Sequence, residues 1–164
     1  MSAIDLASWG QFNVAMAGAT AALAGLVIVA ASVNIGRIVR TPTLTSRLGA
    51  AIGVLVLALV VSAVGLVPDV SPVAYGWAIV IATLGAAVFQ LQATRRIVSD
   101  RSPTARARVL KLLLGYLPIG AYLTAGGMIA AGVGAGMLVA AVACLLAIAS
   151  ALVTSWVVLV EVLR

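Results

Sequence analysis

The chain has 164 residues, 64% of them hydrophobic and only 9% charged, with a net charge of +6 and a mean hydropathy of +1.25. Soluble domains carry about 25% charged residues, so this composition excludes an ordinary soluble domain and reads as an integral membrane protein. The positive charge would suggest nucleic acid in a soluble chain, but here it gathers in short segments between apolar runs, where arginine governs membrane orientation, and no nucleic-acid partner is expected.

The amino-terminal stretch carries Asp5 and no basic residue before the first apolar run, so it lacks the positive segment of a cleaved signal and is read as retained. Crossing a hydrocarbon core of about 30 Å takes about 20 apolar residues. The first such run spans 12–36 and is built mainly from alanine, glycine and valine. Asn13, Thr20, Val27 and Asn34 recur along it every seven residues, interleaved with Ala17, Ala24 and Ala31, which keeps them on one helix face. The opposite face, Gly18, Ala22, Gly25 and Val29, is also small. Small residues mark close helix contact in membranes, so this helix is expected to be an inner one, touched from more than one side.

The second run, 48–67, is mostly valine, leucine and alanine and reads as partly lipid-facing; the third covers 73–93, and Gln90 and Gln92 near its end read as interface markers. The remaining apolar stretch is too long for one helix. The glycines of GVGAG, at 132, 134 and 136, tolerate the dihedrals of a tight reversal and divide it into spans 112–131 and 137–163. Pro118 removes a hydrogen bond inside the fourth span, so a kink is expected there, and Pro118 with Gly120 is a candidate hinge. Static close packing is the competing reading, because proline and glycine are common in membrane helices that do not move.

The loops set the orientation. Arg37, Arg40 and Arg47 lie between spans one and two; Arg95, Arg96, Arg101, Arg106, Arg108 and Lys111 lie between three and four, in the segment TRRIVSDRSPTARARVLK; the other two loops carry no basic residue. By the positive-inside rule the basic loops are cytoplasmic, which places the amino terminus outside and the carboxyl terminus inside. The expectation is an all-α polytopic bundle of five transmembrane helices in one domain, in a bacterial cytoplasmic (inner) membrane. Trp9, Phe12, Tyr75, Trp77, Tyr116 and Trp156 fall near span ends, where amphipathic rings settle at lipid headgroups.

In the last span Ala140, Cys144, Ala147, Ala151, Thr154, Val158 and Glu161 share a stripe, which puts a carboxylate on a packed side at the cytoplasmic level of Asn34 and Arg37. Two readings stand. In one, Glu161, Asn34 and Arg37 form a polar cluster at the mouth of a pathway; in the other, Glu161 pairs locally with Arg164, three residues on, or caps the bundle.

The chain has no histidine and a single cysteine, which excludes an intrachain disulfide, His-Cys zinc sites, Ser-His-Asp triads and histidine haem ligation. Thr20, Ser62, Thr83, Thr124 and Ser150 supply hydroxyls without a base beside them, while Asp69, Asp100 and Lys111 fall in loops or at a boundary. No enzyme, catalytic residue, metal or cofactor is expected. The leading functional expectation is a homo-oligomeric, channel-like assembly in which Asn13, Thr20 and Asn34 line a central pathway. The alternative is a non-conducting accessory or modulator subunit whose small faces dock another membrane protein.

The stretch GATAALAGLVIVAASVNIGRI and the ending SWVVLVEVLR resemble a group of small uncharacterised bacterial membrane proteins, with a similarity that runs over most of the chain. Some of those proteins carry a label as modulators of a membrane-bound FtsH-type protease. The resemblance implies the same five-helix membrane architecture and carries over no functional residue. It makes Asn34 and Glu161 the first positions to test.

Overall fold

The computed structural model of the chain describes residues 4–99 and 105–163, with side chains described at 4–95 and 113–161. A 3-10 turn at Ala7–Trp9 leads into α1 (Gly10–Val33), followed by a single helical turn α2 (Ile35–Ile38), then α3 (Pro42–Val64), α4 (Pro72–Ser99), α5 (Ala105–Ala130) and α6 (Gly136–Leu163). No strand occurs among the described residues. Five of these helices are long and apolar enough to cross a membrane.

Local chemistry sets the breaks. Asn34, at φ −109° and ψ 16°, leaves helical geometry and ends α1 before the expected boundary at 36. Pro42 opens α3 at its first turn, where a missing N–H costs nothing, behind an extended Thr41. The helix therefore starts six residues before the apolar run does, taking Arg47 into its second turn instead of leaving it in a loop. Ser71 caps α4 by accepting the Ala74 N–H at 3.2 Å. Hydropathy locates the apolar part of a helix and not its ends, so α4 and α5 continue into the basic segment, where arginine and lysine are good helix formers. What read as one long loop is largely helix; Ser102 and Pro103 lie outside the described residues.

The GVGAG reversal is a Schellman turn. Gly132 adopts φ 76°, the Gly132 N–H donates to the Ile129 carbonyl at 2.9 Å, and the Val133 N–H reaches back to the Met128 carbonyl at 2.8 Å. Short connections make sequential helices antiparallel. As a result the ends of α1, α4 and α6 and the starts of α3 and α5 share one end of the bundle, called here the basic end because it holds Arg37, Arg40, Arg47 and Arg95.

Helices α3, α4, α5 and α6 form a four-membered ring, and α1 lies outside it, mainly against α3 with a lighter touch on α6. Two findings depart from expectation. Helix α3, read as partly lipid-facing, is the most buried of the five, because Ala50, Ala51 and Ala58 let α1, α4 and α6 approach it from three sides. Within one chain α1 is the peripheral helix and not an inner one: Gly18, Ala22, Gly25 and Val29 are all exposed, and nothing lies within 4 Å of where a Cβ would stand on Gly18 or Gly25. Small residues allow close contact but do not say whether the same chain supplies it.

One apolar cluster, including Val61, Ile79, Tyr122, Ile129 and Ala143, fills the end of the ring opposite the basic end. A second, including Val27, Ile38, Leu48, Leu55 and Val158, joins α1, α3 and α6 nearer the basic end. Leu26, Val33, Ile81, Leu84, Leu138 and Trp156 point outward and leave the exterior apolar.

Candidate functional site: the α1 seam and the basic end

The heptad-spaced stripe of α1 meets protein. Asn13, Thr20, Ala24, Val27 and Ala31 are its buried residues, while Asn34 is half-buried. Thr20 is fully buried, and its hydroxyl donates to its own helix, to the Met16 carbonyl at 2.7 Å with Ala17 O at 3.3 Å. A threonine that bonds back to its own carbonyl can sit in a dry helix contact without an unsatisfied group. Asn34 does the same at the other end, its amide donating to the Ala30 carbonyl at 3.2 Å. Thr83 and Thr124 also donate to carbonyls of their own helices, and Thr83 is fully buried.

Asn13 lies against the carboxyl end of α3. A Cβ on Gly65 would come within 2.5 Å of Asn13 Nδ2 and 3.1 Å of the Tyr75 hydroxyl, so the absence of a side chain there gives both polar groups their place. Tyr75 is buried and donates to the Val61 carbonyl at 3.3 Å; it is a core residue and not an interfacial anchor. Trp77 and Trp156 are exposed. Tyr116 receives a hydrogen bond from the Thr94 hydroxyl at 3.0 Å across α4 and α5.

At the basic end, Glu161 of α6 meets Arg47 of α3: Arg47 Nη1 stands 2.6 Å from Glu161 Oε2. The Arg47 side chain is 8% exposed and that of Glu161 39%. Spacing along the sequence pointed to Arg164, which lies outside the described residues. The sequence places Arg47 in a loop, and a pairing between residues 114 positions apart leaves no periodic signal. Asn34 and Arg37 instead share an open groove of about 320 Å³ with Val33, Gly36 and Arg40.

Pro118 is buried, and its ring denies a donor to the carbonyl four residues back, that of Leu114. The Ser150 hydroxyl of α6 donates to that carbonyl. The irregularity in α5 is thus tied to the neighbouring helix. Gly120 is exposed, with nothing near its Cβ position. Gln90, read as an interface marker, is buried, and its amide occupies the space a side chain on Gly115 would need. Gln92 is exposed.

No group of three or more metal-ligating side chains occurs among the described residues. No known protein family, curated protein or solved structure matches the chain.

Proposed function

We propose that this chain is a non-catalytic, non-conducting accessory subunit of a larger membrane assembly, inserted as five transmembrane helices with the basic end in the cytoplasm. The observation that carries this reading is the direction of the α1 stripe: Asn13 and Thr20 are buried, on a helix that packs on α3 and more lightly on α6, and the hydroxyl of Thr20 is bonded to its own backbone, which leaves little on α1 to wet a lumen. The apolar exterior and the positive-inside rule support insertion and orientation. The exposed small face of α1, from Gly18 to Val29, supports a role in association, since lipid-exposed small residues are where helices of another subunit pack closely. Regulation of a membrane-bound protease in a bacterial inner membrane is the role the sequence resemblance adds to this reading.

The test is copy number and flux together. Native mass measurement in mild detergent is expected to show a hetero-complex when the chain is extracted from its own membrane, and purified chain in liposomes is expected to pass no ions. A ring of four or more copies whose flux changes with Thr20→Ala and Asn34→Ala would overturn the proposal in favour of a homo-oligomeric channel.

A further inference from the structure

The end of the bundle opposite the Arg47–Glu161 pair holds a small, partly open cavity to which all five long helices contribute. Asn13 comes from the start of α1, Ser62 from the end of α3, Tyr75 from the start of α4, Tyr122 from α5, and Cys144 from α6. The cavity measures about 10 Å³, room for a single water molecule. Trp9 and Phe12, ring against ring edge-on with centroids 5.9 Å apart, form its wall on the α1 side.

Two of its lining groups stand out. Asn13 is 4% exposed and Tyr122 0%, yet Asn13 Nδ2 has no hydrogen-bond partner among the described residues, and the Tyr122 hydroxyl has no nitrogen or oxygen partner there, only the weak Cys144 thiol beside it. A buried polar group without a partner is costly, and more so in a bundle surrounded by apolar residues, where bulk water is not at hand. Ser62 offers another hydroxyl and Cys144 a weak thiol, while Tyr75 is committed to the Val61 carbonyl. An internal water needs two to four polar partners, and this wall supplies them.

We propose that the cavity binds one structural water, which accepts from Asn13 Nδ2 and hydrogen-bonds the Tyr122 hydroxyl, tying the start of α1 to the centre of the ring. The chemistry selects against other occupants. No carboxylate faces the site to hold a cation, and larger ions or organic molecules exceed its volume. The bridge also gives α1, otherwise held mainly by α3, a polar link to α5.

A structure of the detergent-solubilised full chain at a resolution that shows ordered waters is the direct test. One peak within hydrogen-bond distance of both Asn13 Nδ2 and Tyr122 Oη is expected. Overturning results are a cavity without such a peak, or Asn13 and Tyr122 turned to protein partners. Thermal unfolding of Tyr122→Phe, Asn13→Ala and the double variant gives a second readout that tolerates modest destabilisation. If the two side chains share one water, the double variant loses clearly less Tm than the sum of the single losses; strict additivity would refute the bridge.

Discussion

Arg47 and Glu161, 114 residues apart, clamp α3 to α6 with a charged contact of 2.6 Å at the end of the bundle that gathers the described arginines. The two partners are unequally placed. Arg47 is withdrawn into the protein, while Glu161 keeps more than a third of its side chain open. The carboxylate is the more open member, and the guanidinium is the member that depends on its partner.

This inequality predicts an asymmetric response to mutation. Glu161→Leu leaves the buried guanidinium short of its carboxylate and is expected to cost about 2–3 kcal/mol of stability, the lower part of the range for breaking a buried pair because one side is partly solvated. Arg47→Leu leaves a carboxylate that can turn outward and is expected to cost about 1 kcal/mol or less. The double Leu variant is expected near the wild type, since both charges leave together. Denaturation of the purified protein in mixed micelles measures all three.

The bond from Ser150 to the Leu114 carbonyl predicts a coupling with Pro118. Ser150→Ala is expected to cost about 1 kcal/mol in the native sequence, because the carbonyl exposed by proline loses its donor. In a Pro118→Ala background the restored helix N–H takes that carbonyl, and Ser150→Ala is expected to be nearly neutral. A double-mutant cycle on thermal unfolding checks this.

How much of this was legible beforehand depends on what kind of order each feature has. The five long apolar helices and the GVGAG turn follow from hydropathy and glycine, which are local properties. The stripe of α6 from Ala140 to Val158 was visible because helical period places those residues on one face, and they are buried or half-buried. Periodicity could show that α1 has a polar seam at Asn13 and Thr20, but not what lies opposite it. Partner choice was out of reach for the same reason: Arg47 with Glu161, Ser150 with Leu114, and Asn13 beside Gly65 and Tyr75 all depend on which helices become neighbours. Tyr75 and Gln90 differ from expectation because closeness to a span end is not closeness to a bundle's surface, and both are buried.

Two glycines should respond in opposite ways. A Cβ on Gly76 would come within 2.5 Å of the Ala130 nitrogen and 2.7 Å of the Gly126 oxygen, so Gly76→Ala must push α4 away from α5 and is expected to cost about 2–3 kcal/mol, as overpacking does. Gly120→Ala meets nothing and is expected to be neutral or to stabilise by about 0.5–1 kcal/mol through helix propensity. Unfolding midpoints in one detergent compare the two directly. A marked loss at Gly120 would indicate that α5 bends there in use.

If the polar stripe of α1 is a seam between helices and not the wall of an aqueous path, water does not reach its middle in the folded protein. The most direct test replaces Cys144 with alanine, introduces Thr20→Cys or Ala22→Cys, and measures labelling in membranes by a charged, membrane-impermeant thiol reagent applied from both sides. Thr20→Cys is expected to stay unlabelled until the protein is unfolded, because that position is fully buried, and Ala22→Cys, on the exposed face, is expected to be protected from the charged reagent by lipid or a partner helix. Rapid labelling of Thr20→Cys in the folded protein would place water at the middle of the stripe and contradict the account.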